Sequence, residues 1–217
     1  MAYAGRAGEA ARQALSAVRP RFEWGVAARA LRGEEVSGDR AVVRIDDDGA
    51  LVAAIDGLGH GPHAAHAAEA AARVLEGLAD VEVVEAAKRC HEALRPTRGA
   101  AISLAVFADE PPTMTWLGIG NVEGRLVRGR APHSPGESLL LRGGIAGHEL
   151  PPLTPATHPV ERGDLLLFAT DGVRDRFADS LVASGGCQPM AERLLSGHGR
   201  RTDDALVVVV RYLGSSS

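Results

Sequence analysis

Apolar positions along the chain fall into short runs typical of strands and a few longer stretches with helical spacing. The predicted strands are 22–31, 41–45, 50–55, 100–107, 113–119, 122–127, 138–141, 165–169 and 206–212. The predicted helices are 1–20, 62–78, 82–94 and 188–195.

Turn signals predict how several strands connect. The acidic turn at residues 46–49 ends in glycine and predicts a hairpin between the strands on either side of it. Gly120-Asn121 predicts a second hairpin, between 113–119 and 122–127. Residues 143–163 are rich in glycine and proline and are predicted to be loop, and 147–159 within them is a candidate region for substrate recognition.

The order of elements indicates the fold class. Hairpins dominate, and the helices are not interleaved one per strand. This favours an α+β layered fold, with antiparallel sheets and helices stacked outside, over a doubly wound parallel sheet.

Composition narrows the functional classes. With 217 residues, 45% of them apolar, the chain is long enough for one well-buried domain. The net charge of −4 comes without a visible basic patch, so no nucleic-acid partner is expected. No apolar run approaches the roughly 18 residues that span a membrane, and the N-terminus lacks a secretory apolar region. We expect a cytoplasmic protein with Cys90 and Cys187 reduced.

Four short acidic segments occupy strand edges in a fixed order. They are Ser37-Gly38-Asp39, residues 56–61 (Asp-Gly-Leu-Gly-His-Gly), Thr170-Asp171-Gly172 and Thr202-Asp203-Asp204. Carboxylates that converge at the ends of buried strands repel one another and lose water, unless hard cations neutralise them. The pattern therefore predicts a carboxylate site for magnesium or manganese.

These segments resemble the motifs of the PPM family of metal-dependent protein serine/threonine phosphatases, in its bacterial SpoIIE-type branch. The resemblance rests on Gly38-Asp39, the 56–61 segment, the block at 163–173 and Asp203-Asp204, and it extends over about residues 22–212. Segment 117–124 makes the chain most similar to the stand-alone RsbX-like members.

The resemblance implies a four-layer α/β/β/α sandwich, with two antiparallel sheets face to face and helices outside, in a single domain over 1–217. It also implies a site for two Mn²⁺ or Mg²⁺ ions. Asp56 would bridge the ions, the Gly57 carbonyl would bind one of them, and Asp171 and Asp203 would complete the second. Asp39 would bind directly or through a water.

The implied activity is hydrolysis of phosphoserine or phosphothreonine by attack of a metal-bridging water. The implied substrate is a phosphorylated STAS-domain protein of a stress-signalling complex, or stressosome. Two alternatives remain open. One is a pseudophosphatase that acts as a partner-binding module, and the other is a metallohydrolase for small phosphoesters.

The chain departs from the family pattern in two places. The last motif lacks its usual threonine, so either Asp203 or Asp204 could be the ligand. We favour Asp203, with Asp204 as a hydrogen-bond acceptor. The position that holds a histidine elsewhere in the family is Leu58, and His60 lies two residues on. His60 is either a proton donor to the leaving oxygen or a cap for the following helix.

Three weaker candidates have a functional and an ordinary interpretation each. Asp175 could help hold a third metal or be a solvated or helix-capping acid. His63 and His66 lie one helical turn apart and could bind zinc or form an exposed face. Arg29 and Arg32 could grip a phosphate or lie on the surface.

Overall fold

The computed structural model describes residues 20–47, 49–79, 82–131, 136–175, 177–181 and 183–214. The predicted helix at 1–20 lies, except for Pro20, outside the described residues. The strands are β1 (Phe22–Arg29), β2 (Asp39–Asp46), β3 (Gly49–Gly57), β4 (Ala100–Asp109), β5 (Pro112–Ile119), β6 (Glu123–Val127), β7 (Glu137–Ser138), β8 (Leu141–Arg142), β9 (Ala156–Pro159), β10 (Leu165–Ala169) and β11 (Ala205–Tyr212). The helices are α1 (Gly61–Glu76), α2 (Val83–Leu94) and α3 (Cys187–His198), with a short 3₁₀ turn at Phe177–Ser180.

The strands form two sheets. The first sheet has the order β1-β11-β10-β6-β7, and the second has the order β2-β3-β4-β5-β8, with β9 also paired to β5. Neighbouring strands are antiparallel apart from the short β5–β8 pair, which is parallel. Strands that follow one another through short turns, such as β2, β3, β4 and β5, are hydrogen-bonded neighbours.

Three apolar layers separate the elements. One lies between the second sheet and helices α1 and α2, one between the two sheets, and one between the first sheet and α3. The chain is thus an α/β/β/α sandwich, and the predicted fold class is confirmed.

The central strands read as continuous apolar runs because both of their faces are covered. In β11, Val208 and Val210 pack between the sheets, while Val207 and Val209 pack beneath α3. Burial on both faces removes the alternation of polar and apolar residues that a half-exposed strand shows. The acidic segments at the ends of such strands are therefore held on a rigid, dry scaffold.

The predicted hairpin through Gly120-Asn121 is wrong. β5 lies in the second sheet and β6 in the first, so the chain crosses from one sheet to the other at this point. Gly120 has a φ of +86°, and an added Cβ would lie 2.5 Å from Cβ of Ala101. The glycine thus serves a close crossing between layers, which a turn signal alone does not distinguish from a hairpin.

Two smaller predictions also need correction. The strand predicted at 138–141 is divided between β7 in the first sheet and β8 in the second. Residues 143–163 are not all loop, because β9 pairs with the edge of β5. Proline is tolerated there because an edge strand does not need every backbone donor.

Within the described residues, no helix is long and apolar enough to cross a membrane.

Candidate metal centre

The first two acidic segments meet across one strand pair. Asp39 opens β2 and lies opposite Asp56 near the end of β3 in the antiparallel register. The Gly57 amide donates to the Gly38 carbonyl at 3.0 Å, which continues the pairing past the two carboxylates. Adjacent strands therefore bring Asp39 and Asp56 side by side at one end of the second sheet.

The last two acidic segments meet in the same way in the first sheet. Asp171 follows β10, and Asp203 and Asp204 precede β11, its antiparallel neighbour. A Cβ on Gly172 would lie 1.7 Å from the Asp204 carbonyl oxygen. Only glycine lets the Thr-Asp-Gly turn lie this close to the Asp-Asp segment.

Asp39 is buried and is tied to the opposite sheet. It is 5% exposed, and the Thr170 hydroxyl donates to its Oδ2 at 2.7 Å. Thr170 Oγ1 in turn accepts the Leu206 amide proton at 2.9 Å. This chain of bonds fixes the distance between the two acidic pairs.

Asp204 is buried and engaged with the backbone. Its Oδ1 accepts from the Leu31 amide at 2.7 Å, and its Oδ2 accepts from the Gly38 amide at 2.8 Å. Asp204 thus anchors the β1–β2 connection beside Asp39. Asp203 is half-buried, and its Oδ1 accepts from the Asp204 amide at 2.9 Å.

Three of the predicted metal ligands line a single cleft of about 540 Å³: Asp56, Asp171 and Asp203. His60 and Asn121 also line this cleft. Asp39 is paired with Asp56 on the neighbouring strand and is screened from solvent by its burial. The structure thus places all four carboxylates in one region, with three of them facing a common space.

The electrostatics of the site disfavour unneutralised carboxylates. Burial, reinforced by the other carboxylates, raises the pKa of Asp56 to about 8. Burial raises the pKa of Asp39 to about 7, although the hydrogen bond from Thr170 acts to lower this pKa. The pKa of Asp171 is raised by burial and by Asp203, although Arg200 opposes the rise. A cation in the cleft would relieve all of these costs.

The donor set fits magnesium or manganese. Among the described residues, no three histidine, cysteine or acidic side chains form a ready-made cage around one point. Mg²⁺ does not need one, because it keeps several waters and is commonly held by one or two carboxylates.

The backbone at Gly57 is tightly placed, since an added Cβ would lie 2.1 Å from the Ala64 carbonyl oxygen of α1.

His60 is held at the cleft by a residue that the sequence patterns did not indicate. Its Nδ1 lies 2.7 Å from Oε1 of Glu34, and the ring is 59% exposed. His60 occupies the N-cap position of α1, but its side chain makes no capping hydrogen bond. His60 is thus the N-cap residue of α1 by position, while its side chain bonds to Glu34 and not to the helix backbone.

Among the weaker candidates, Asp175 and Arg29 contact Arg200, and the two histidines lie on α1. Asp175 lies 3.6 Å from the Arg200 guanidinium. Arg29 donates to the Arg200 carbonyl at 2.5 Å. His63 and His66 are both exposed on α1, as the ordinary interpretation predicts.

Asn121 is another residue that the sequence analysis did not assign to the site. Its Nδ2 donates to Asp171 Oδ2 at 2.7 Å. The Gly120-Asn121 pair has the composition of a hairpin turn, which conceals its place beside the acidic segments. One available signal was composition, because Asn121 is the only asparagine in the chain.

Comparison with known proteins agrees with this geometry. Residues 46–213 match the family model described as Stage II sporulation protein E (SpoIIE). The chain is 31% identical over 147 residues to the phosphoserine phosphatase RsbX of Bacillus subtilis (strain 168), covering 65% of this chain and 69% of RsbX.

Solved structures show the same fold. A chain from a study of the bacterial stressosome, described as a modular system adapted to control secondary messenger signaling, superposes with a TM-score of 0.79 at 29% identity, covering 88% of this chain and 100% of that chain. RsbX in complex with magnesium superposes with a TM-score of 0.76 at 24% identity, covering 88% of this chain and 94% of that chain. Since the family model matches most of the chain, this protein belongs to the SpoIIE family of protein phosphatases, as its acidic motifs predict.

Proposed function

We propose that this protein hydrolyses phosphoserine or phosphothreonine on a partner protein and depends on Mn²⁺ or Mg²⁺. The observation that carries the proposal is the convergence of Asp56, Asp171 and Asp203 on one cleft in a chain of the SpoIIE family. The relative RsbX is named a phosphoserine phosphatase, and its crystal structure contains magnesium.

In the proposed site, Asp56, the Gly57 carbonyl, Asp171 and Asp203 hold two ions. Bound divalent ions lower the pKa of water and neutralise charge on the phosphoryl oxygens. Asp39 contributes a ligand directly or through a water, and Thr170 holds its carboxylate in place. The Asp204 carboxylate accepts from the Gly38 amide, and the Asp204 amide donates to Asp203, so this residue connects Asp203 to the Gly38 loop.

His60 is the proposed proton donor to the leaving serine or threonine oxygen. It lines the cleft, and its exposed ring can meet a substrate that enters from solvent. Glu34 binds Nδ1 and so leaves Nε2 as the atom that would face the substrate. To act as the donor, the ring must carry a proton on each nitrogen, so that Nδ1–H stays bound to Glu34 while the Nε2 proton passes to the leaving oxygen.

The proposed substrate is a phosphorylated STAS-domain protein in the cytoplasm. The support is the similarity to RsbX and to a chain from a stressosome study.

Hydrolysis of an aryl phosphate tests the reaction. We expect turnover by the purified protein with Mn²⁺ or Mg²⁺, and none with EDTA. Asp56→Asn should lose most of the activity while its circular dichroism spectrum is retained. Asp47→Asn, which removes an exposed acid from the β2–β3 turn, is the matched control and should keep full activity. Equal turnover by Asp56→Asn and the unmodified protein would refute the assignment.

The substrate class needs a separate measurement. A phosphorylated STAS-domain protein should be dephosphorylated with a higher kcat/KM than phosphoserine or a sugar phosphate. Preference for the small esters would favour the small-phosphoester metallohydrolase instead.

A further inference from the structure

Asn121 and Asp171 form a direct contact inside the cleft, although they are 50 residues apart in sequence. The amide nitrogen of Asn121 donates to Oδ2 of Asp171 at 2.7 Å, and both residues line the cleft. An amide nitrogen is a donor only, so it binds the carboxylate and cannot itself hold a cation. The single asparagine of the chain therefore serves an acidic residue of the site.

The backbone around Asn121 is clamped on both sides. The Gly120 amide donates to the Arg142 carbonyl at 2.8 Å. The Val122 carbonyl accepts from the buried Ser103 hydroxyl at 2.6 Å, and Val122 itself is fully buried. Asn121 therefore projects from a fixed crossing between the sheets and not from a free loop.

Asp171 needs such a partner. It lies in the turn after β10, on the exposed side of the site, whereas Asp39 is buried and held by Thr170. A carboxylate on an exposed turn loses side-chain entropy when it is fixed for a ligand. A donor on a rigid neighbouring segment removes much of that cost before the ligand arrives.

We propose that Asn121 is a positioning residue, which orients the Asp171 carboxylate so that its remaining oxygen lone pairs face a divalent cation in the cleft. This deepens the proposed function and rests on it. Partners that hydrogen-bond to metal-ligating carboxylates typically change metal affinity by about 10- to 100-fold when they are removed.

The test is calorimetric titration of Mn²⁺ into the metal-free protein, its Asn121→Ala variant and its Asn121→Gln variant. We expect Asn121→Ala to raise the Mn²⁺ dissociation constant by about 10- to 100-fold. Asn121→Gln keeps the amide donor and should recover part of the lost affinity. At saturating Mn²⁺, the turnover of Asn121→Ala should approach that of the unmodified protein, with KM for the aryl phosphate unchanged.

The control is Gln188→Ala. It removes a side-chain amide that bonds to the backbone of Val26 and not to an acidic residue of the site. It should lower the thermal midpoint of the metal-free protein and leave Mn²⁺ affinity unchanged. An unchanged dissociation constant in Asn121→Ala would overturn the proposal. So would a loss of turnover that saturating Mn²⁺ does not restore, since that would place Asn121 on the substrate.

Calorimetry separates this proposal from the proposed function. If the protein binds Mn²⁺ and shows no turnover, the phosphatase assignment fails while the affinity comparison still decides the role of Asn121. If the unmodified protein binds no Mn²⁺, Asp171 is not a ligand and the positioning role is overturned.

Discussion

Thr170 joins the two sheets at the candidate metal centre by donating its hydroxyl proton to Asp39 at 2.7 Å. The same oxygen accepts the Leu206 amide proton at 2.9 Å, so one side chain satisfies a buried acid and a buried backbone donor. Thr170 therefore couples the stability of the sandwich to the geometry of its acidic end.

Thr170→Val should destabilise the protein by about 2 to 4 kcal/mol, because valine keeps the shape and removes both hydrogen bonds of the hydroxyl. Urea denaturation followed by circular dichroism measures the change. Thr170→Ser, which keeps the hydroxyl, should cost less than about 1 kcal/mol. Equal losses in the two variants would show that the methyl group and not the hydroxyl matters.

We expect Asp203 to matter for activity and Asp204 to matter for stability. Asp204→Ala leaves the Leu31 and Gly38 amides without their acceptor and should lower the free energy of unfolding by about 3 kcal/mol. Asp203→Ala should cost less than about 1 kcal/mol and should abolish Mn²⁺-dependent turnover. Urea denaturation and the aryl phosphate assay together measure both effects. If Asp203→Ala retains activity while Asp204→Ala folds and loses it, the ligand is Asp204.

The metal-free protein should lose stability as the pH rises from about 4 to about 8. The carboxyl pKa values of Asp39 and Asp56 are raised from 3.8 to about 7 and about 8, so the folded state binds these protons more tightly than the unfolded state. Their stabilisation is present in full below the unfolded pKa and is lost as the pH passes the folded values. Thermal midpoints measured in EDTA across this range give the slope.

Mn²⁺ should reverse that loss, because an ion that binds only the folded state stabilises it and displaces the protons. Asp56→Asn is the control, since an amide does not titrate and should flatten the slope in EDTA. A slope that is the same in Asp56→Asn would assign the pH dependence to other groups.

The local sequence pattern was sufficient to predict those elements that their own residues determine. The strand predicted at 165–169 has the observed bounds of β10, because an unbroken apolar run between polar turns has few alternatives. The acidic segments were recognisable for a similar reason, since each carries its chemistry in a short motif at a strand end. Asp56, Asp171 and Asp203 line one cleft, and the role of the acidic segments as metal ligands stays a prediction.

The local sequence did not determine which strands pair with each other. Gly120-Asn121 has the composition of a hairpin turn, yet β6 pairs with β10 and not with β5. The crossing buries Val122 and Leu126 between the sheets, and that gain depends on strands distant in sequence. No turn propensity includes such a long-range term.

The sequence by itself determined most of the longer elements, the α+β class and the acidic chemistry, because apolar period and short motifs act over a few residues. Only the tertiary structure decided that Thr170 satisfies Asp39, that Asp204 binds backbone while Asp203 lines the cleft, and that Asn121 donates to Asp171. Each of these contacts joins segments of different strands. Their pairing follows from burying three apolar layers at once, a condition on the whole chain and not on any one motif.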